Sequence, residues 1–571
     1  MTDTCLNIIT QLTVELHKDD ISKEKLGTGV LYTNRKLSGV VYVLTAKHCL
    51  SKLGEKGRVS LRIYNPDTST YEYVTPVKQS ILLHPVDDAG IIIINKRELA
   101  SVVSDLPSVY VVDKNFGTDE AVSKGFPVAT LNQTNENGES SLAMIRMTYL
   151  HEDITENVFQ LSTNDDYSED TIVGMSGSGI FIEACEELYI NGIFIRYTDE
   201  ERGKVISAQR LVSFNKLLEE EYKKKMSLSF LGHHGLGHKT LKNNVEDSVA
   251  NLGPRYCQKV NVRTGTAKYF NCVAKTPAYF ERLYRNIDSW LTEKSYRTRK
   301  DSNRIGQLES HLKAIRDDFT VALSNLDQRV DAIIDLSSLM KRVESLQNEL
   351  EEVRHRFYSD YSSTKKDDNV RKELEADEAR LLEISQDLYS FTENFEDLKI
   401  NLANNPYLII KGEAGCGKSH LLGDVASKRI DDGLPTLLFL GTDFAEETYE
   451  TTITSKVGFV GTFREFLSSF NQIGTQVGSR ALLMIDALNE GPQAVLWKDR
   501  LSGLIKSLKD YPAIGLVVSV RDTYFDDVIP DGVETDSGAT VIEHKGFKGL
   551  EYEAVRQFCL AYELNLPNVP I

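Results

Sequence analysis

The chain has 571 residues, 41% hydrophobic and 26% charged, with a formal net charge of −18. That length calls for several domains, each able to bury its own core, and the acidic balance argues against a broad electrostatic footprint for DNA or RNA. No apolar run reaches the length of a membrane span, the N-terminus lacks a basic region followed by an apolar core, and the seven cysteines show neither paired metal-ligand spacing nor a disulfide framework, so the chain reads as cytoplasmic with reduced thiols.

Short Val-, Ile- and Tyr-rich runs such as GVVYVLTA, VSLRIY and GIIIIN, separated by Gly, Asn, Asp and Pro, predict an all-β domain over residues 1–225. Three segments in it carry residues suited to nucleophilic chemistry: VLTAKHCL with His48, HPVDDAG with Asp87 and Asp88, and GMSGSG with Ser176. A serine hydroxyl is a weak nucleophile until an imidazole accepts its proton, and the imidazole needs a carboxylate to set its tautomer. The glycines around Ser176 permit a sharp turn that aims the amides of Gly174 and Ser176 at a developing oxyanion.

In chain order, GTGV at 27–30, LTAKHC, DAGIIII, KGFP at 124–127 and GMSGSG followed by LYINGIFI resemble the chymotrypsin/trypsin-type serine proteases in their reduced bacterial form. The resemblance implies two six-stranded barrels with the catalytic set between them: His48 as base, Asp88 rather than Asp87 as orienting acid, and Ser176 as nucleophile. Asp170, six residues before Ser176, falls where the trypsin subgroup has the floor of its specificity pocket, which implies cleavage after Lys or Arg; the other reading is a surface acid beside Glu169. Lys47 stands where the family usually has a small residue, and Cys49 has no evident disulfide partner.

Residues 226–275 read as a connector. There FLGHHGLGHKT places His233, His234 and His238 among glycines, and without a carboxylate or cysteine partner the cluster reads as a flexible turn rather than a metal site. Over residues 276–400 the period becomes helical. Leu336, Leu339, Val343, Leu346, Leu350, Val353 and Phe357, then, after YSDYSSTKKDDN, Leu374, Leu381, Ile384, Leu388, Phe391, Phe395 and Leu398, follow a three- and four-residue spacing. They predict a helical hairpin linker, either a spacer folded onto a neighbouring domain or an oligomerising coiled coil.

Residues 401–571 open with NPYLIIKGEAGCGKSHLL, in which Gly412, Glu413, Ala414, Gly415, Cys416, Gly417, Lys418 and Ser419 form G-x-x-x-x-G-K-S after an apolar strand and before a helix. Such a loop cradles phosphates with backbone N–H groups, Lys418 reaches the terminal phosphates, and Ser419 holds Mg²⁺ together with Asp486 at the end of ALLMID; ATP and Mg²⁺ are the cofactors this implies. Glu490 is placed to orient an attacking water, and Arg521, at the end of VVSVR, to sense the terminal phosphate. DALNE and the following SVR resemble the STAND class of signal-transduction NTPases, the NACHT-like group that includes bacterial antiviral sensors, with Asn489 where many members have a second acid. The resemblance implies helical, winged-helix and sensor-repeat regions downstream, so the chain is expected to be the front of a longer protein.

The expectation is a multidomain chain: an N-terminal all-β, chymotrypsin-like double barrel, a helical hairpin linker and a C-terminal α/β P-loop NTPase. Its expected role is an ATP-regulated serine endopeptidase of antiviral, abortive defence that acts on protein substrates. A protein trigger, of phage origin in that setting, would drive homo-oligomerisation. The alternatives are a non-catalytic, protease-like peptide-binding regulator and a housekeeping ATP-dependent protease.

Overall fold

The short runs of β-branched and aromatic residues near the N-terminus form antiparallel strands in the computed structural model. It describes the whole chain except residues 20–23, 34–38, 54–56, 101, 104–105, 114–119, 128–140, 154–156, 164–171, 201–202, 227, 258–264, 292–302, 364–367, 445–447, 493, 562 and 566–571. Asp170 lies outside the described residues. Two units result: Met1–Lys242 with Asp431–Leu434 and Gly458–Val460, and Asn243–Ile430 with Pro435–Val457 and Gly461–Ile571.

In the first unit, β1 (Thr13–Lys18), β2 (Lys25–Tyr32), β3 (Val40–Thr45), β4 (Val59–Asn65), β5 (Thr70–Val74), β6 (Gln79–Leu83) and β7 (Gly90–Asn95) form one sheet in the order β5-β4-β1-β2-β3-β7-β6. The second sheet contains β8 (Tyr110–Val111), β9 (Ala121–Gly125), β10 (Ala143–Asp153), β11 (Val158–Thr163), β12 (Gly179–Ala184), β13 (Glu187–Glu200) and β14 (Gly203–Arg210). Its order is β12-β9-β10-β11-β14-β13, and pairing of β12 with β13 closes a six-stranded barrel, to which β8 adds in parallel on β13. The expected pair of six-stranded barrels is therefore met once: among the described residues the first sheet has seven strands, and no pairing joins its edges β5 and β6. Two helices, Asp3–Leu12 and Leu211–Glu220, also belong to this otherwise β-rich region. In the first of them Cys5, Ile9 and Leu12 recur at helical spacing and are buried in the core of the first sheet.

The second unit holds a five-stranded parallel sheet of β15 (Tyr407–Gly412), β16 (Thr436–Leu440), β17 (Ala481–Asp486), β18 (Ile514–Arg521) and β19 (Thr540–Glu543), in the order β16-β17-β18-β15-β19. Strands β16, β17 and β18 are largely apolar runs buried along almost their whole length, as a sheet covered on both faces requires. The helical segment is larger than a hairpin. Helices Pro277–Leu291, Asn303–Ser324, Ser337–Ser363 and Asp368–Glu396 each pack on the next, and the fourth returns to the first. Inside this bundle Trp290 stacks on Phe391 at 3.9 Å and meets Phe319 edge-on, while Arg316 pairs with Asp387 at 2.5 Å, both buried. The apolar seams at Val343, Leu346 and Leu350 and at Leu381, Ile384 and Leu388 are thus buried within one chain. Arg480 binds the bundle to the sheet by donating to the carbonyls of Val273, Val330, Ala403 and Pro512. Residues predicted as connector and linker therefore fold, from Asn243 on, in the same unit as the sheet. Among the described residues no helix is long and apolar enough to cross a membrane.

Candidate functional site

Each unit presents one constellation. In the first, β3 ends in a one-turn helix, Lys47–Leu50, that carries His48, and the tight connection between β6 and β7 carries Asp87 and Asp88. Asp88 grips His48 twice: its Oδ2 lies 2.7 Å from ring Nδ1, and its Oδ1 accepts the His48 backbone N–H at 3.0 Å. Asp87 is engaged elsewhere, accepting from Ser213 Oγ at 2.6 Å and Asn157 Nδ2 at 3.2 Å. The Asp88 loop is held in turn by its own N–H, which donates to Gln209 Oε1, and by Lys47 Nζ, which donates to the carbonyl of Pro85.

Burial opposes the charge on Asp88, but hydrogen bonds from the ring and backbone N–H of His48 outweigh it and hold the carboxyl below its ordinary value. The hydrogen bond to Asp88, helped by the Cys49 thiol, pushes His48 up to about 10.

Ser176 sits in the turn that leads into β12, half-buried and tied to the first sheet. Its carbonyl accepts the N–H of Thr28 at 2.9 Å and the thiol of Cys49 at 3.4 Å, so the turn is packed against the residue next to His48. Gly177 has to be glycine: φ is +92°, and a Cβ there would lie 2.0 Å from the carbonyl oxygen of Thr28. Gly177 N–H donates to Phe194 O, whereas among the described residues the N–H groups of Gly174 and Ser176 meet no acceptor. Ser176 Oγ donates to the carbonyl of Ile195 at 3.4 Å and forms no hydrogen bond with His48 among the described residues. The structure thus joins His48 to Asp88 and fastens the Ser176 turn beside them, with the hydroxyl directed at β13.

The predicted histidine cluster has no such convergence. His238 packs between Tyr110 and Phe230 with Nδ1 3.1 Å from the Tyr110 hydroxyl, and no group of three metal-ligating side chains occurs among the described residues.

In the second unit the loop from Gly412 to Ser419 lies between β15 and the helix Lys418–Asp431, with Gly415 and Gly417 at positive φ. Lys418 is buried and folded back on its own loop, its Nζ donating to the carbonyls of Gly412 at 2.7 Å and Glu413 at 2.8 Å. Asp486, at the end of β17, receives the hydroxyls of Ser419 and Ser519, the latter at 2.6 Å. Burial dominates there and raises the Asp486 carboxyl above its ordinary value. Glu490 bonds to both Arg521 and Arg255 at 2.8 Å, and Asn489 Oδ1 accepts the backbone N–H of Arg521. Lys418, Ser419, Asp486, Glu490, Ser519, Arg521 and Arg255 line one open cavity of ≈ 150 Å³ at the C-terminal ends of the strands, the position where open parallel sheets bind ligands.

Sequence reasoning missed Arg255, Ser519 and His544. His544 is buried behind the loop, with Nδ1 2.9 Å from Thr266 Oγ1, and burial with Lys418 nearby holds its imidazole below the ordinary value. Only Ser519 carried a readable signal, its place near the end of an apolar strand beside Asp486. A buried carboxylate beside two hydroxyls suits a Mg²⁺ ion completed by phosphate and water, the usual low protein-ligand count of that ion. No family model matches the chain, and no curated protein matches it in sequence.

Proposed function

We propose that the chain is a serine endopeptidase governed by a P-loop ATPase: an effector that cuts cellular or partner proteins once a protein trigger drives its assembly. The observation that carries the endopeptidase reading is the double grip of Asp88 on His48. In this reading Asp88 holds the proton on Nδ1 and Nε2, once neutral, is the base; Ser176 attacks the scissile carbonyl, and the N–H groups of Gly174 and Ser176, which meet no acceptor among the described residues, receive the oxyanion. The closed six-stranded barrel and the chain order His, Asp, Ser support the chymotrypsin-like assignment.

The ATPase reading is supported by the phosphate-loop sequence between a parallel strand and a helix, with Lys418, Asp486 and Arg521 on one cavity. Ser419, and Asp486 through water, would hold Mg²⁺, which neutralises phosphate charge when bound. A STAND-like, NACHT-like switch acting in antiviral defence rests on the resemblance of DALNE and SVR, and so do the homo-oligomer and the phage-derived trigger. A latent resting state suits both sites: Ser176 is turned to Ile195, His48 is held protonated, and Lys418 is folded on its own carbonyls.

Labelling with a fluorophosphonate tests the enzyme reading. Triggered full-length protein is expected to label and Ser176→Ala to stay blank; equal labelling of both overturns the assignment. The bond from Ser176 Oγ to Ile195 also favours a second reading, a protease-like domain that only binds peptide. That reading predicts no labelling under any trigger, with peptide binding retained in Ser176→Ala.

A further inference from the structure

Glu490 has both carboxylate oxygens engaged by guanidinium groups: Arg521 Nη2 donates to Oε1, and Arg255 Nη1 donates to Oε2. The two arginines come from unrelated places. Arg521 ends β18, beside Asp486, whereas Arg255 lies 235 residues before Glu490, in the turn Gly253–Arg255. That turn is fixed against the sheet unit on both sides. Before it, Asn244 Oδ1 accepts the N–H of Leu438 and Ser248 Oγ donates to the carbonyl of the same residue; after it, the Cys257 carbonyl meets the His420 ring at 3.0 Å. All three charged groups open onto the cavity that holds Lys418, Ser419 and Asp486.

The clasp is built to exchange. Each arginine side chain is 42% exposed and Glu490 is 23% exposed. Pairs this wet contribute little net free energy, so a stronger anion displaces the carboxylate readily. A terminal phosphate offers more charge than a carboxylate and accepts a guanidinium fork in bidentate fashion.

We infer that Arg255 is a second terminal-phosphate sensor, parked on Glu490 and transferred with Arg521 to the last phosphate of a nucleoside triphosphate. The inference rests on the proposed nucleotide site and adds how that site distinguishes its ligands. A diphosphate on the loop leaves the clasp closed, with each Glu490 oxygen held by a guanidinium. A triphosphate takes both arginines and releases Glu490, so the same exchange that reports the third phosphate frees the group that orients water against it. Arg255 acts at the phosphate by a swing of its exposed side chain, from a turn Gly253–Arg255 that stays fixed on both sides.

The experiment is calorimetric titration of the full chain with Mg-ATP and with Mg-ADP, comparing wild type, Arg255→Ala, Arg255→Lys and Glu490→Gln. Arg255→Ala should weaken ATP about ten-fold or more and leave ADP within about two-fold, as loss of one charged hydrogen bond to the third phosphate predicts. Arg255→Lys should recover part of that loss. Glu490→Gln should shift ATP the other way, to tighter binding, because both arginines are released in advance; a merely structural role for Arg255 does not produce opposite shifts in the ATP/ADP ratio. Equal weakening of both nucleotides in Arg255→Ala, an unmoved ratio, or weaker ATP in Glu490→Gln overturns the sensor role and leaves the nucleotide site standing. Failure of the wild type to bind either nucleotide overturns the nucleotide site and the sensor with it.

Discussion

Asp88, half-buried in the connection between β6 and β7 of the first unit, and Asp486, buried at the end of β17 in the second, are both aspartates for which burial opposes the charge, yet they are pushed in opposite directions. Asp88 falls below its ordinary value and Asp486 rises above it. Burial opposes the charge of both, so burial does not decide the sign. The donors do: Asp88 receives two N–H groups of a residue that itself carries positive charge, whereas Asp486 receives two neutral hydroxyls with Arg255 only a lesser influence. One site therefore carries its internal ion pair ready-made, and the other presents a carboxylate whose charged form calls for a cation.

The largest test of this contrast is to remove the charge from Asp88. Asp88→Asn should lower the rate of fluorophosphonate labelling at Ser176 by about three to four powers of ten, through loss of the tautomer and of support for the imidazolium. Asp87→Asn should leave the rate within a few-fold and cost about 1 kcal/mol of stability, since Asp87 serves Ser213 and Asn157. Equal loss of rate in the two variants would erase the distinction between the neighbouring acids.

A smaller effect is expected from the second unit's buried cation. Arg480 is 2% exposed and satisfies four carbonyls from segments that flank the bundle helices and the sheet strands, and burial pushes it down to about 10. Arg480→Met fits the space and strands those carbonyls, so it should cost the second unit about 3 kcal/mol in denaturant unfolding while the first unit's transition stays in place. Coincident shifts of both transitions would show that Arg480 holds more than its own unit.

The pH profile of the His48 site comes next. His48 is held up to about 10, so the neutral base is scarce at pH 7, and labelling of Ser176 in the resting protein should climb about ten-fold per pH unit until that region is reached. The stability linkage has the matching sign. A histidine raised in the folded state contributes stability that is complete below its ordinary value of 6.5 and is lost as pH rises toward about 10. Because the ring is 48% exposed, that contribution is modest. A flat rate profile between pH 6 and 9 would mean that the Asp88 bond does not govern the base.

How much of these two sites was legible follows from how far apart in the chain their parts lie. Asp88 and His48 each sit at the edge of an apolar strand, and Ser176 is marked by glycines that the turn requires, so short motifs reveal them. The same holds for Gly412 to Ser419, Asp486 and Arg521, all at strand ends. Arg255 reaches Glu490 from 235 residues away, and no local spacing announces a partner at that distance. The four-helix bundle was half read: Phe280, Leu283, Ile287 and Trp290 repeat at the same three- and four-residue steps as the later pair, and all four are buried. Closure of a sheet is not written in any strand. The pairing of β12 with β13 closes the second sheet, while the seven strands of the first comprise runs of the same composition.

The smallest expected effect sharpens the opening contrast most directly, because it isolates one charge. A carboxyl raised in the folded state, as Asp486 is, favours the protonated native form; its neutral form is fully tolerated below the ordinary carboxylate range, and stability is lost as pH climbs through the raised value. Asp486→Asn keeps an amide oxygen for the hydroxyls of Ser419 and Ser519 and removes the titration. Without nucleotide, the variant should match the wild type in acid and be slightly more stable near pH 8, the difference growing across the window in which the native carboxyl ionises. With Mg-ATP the order should reverse, since the ion favours the charged oxygen that the variant lacks. Urea unfolding at several pH values, with and without Mg-ATP, reads both halves. A variant no more stable than wild type near pH 8 would mean that Ser419 and Ser519 already offset the burial of the charge, and a Mg-ATP gain equal in the two proteins would remove Asp486 from the ion's surroundings.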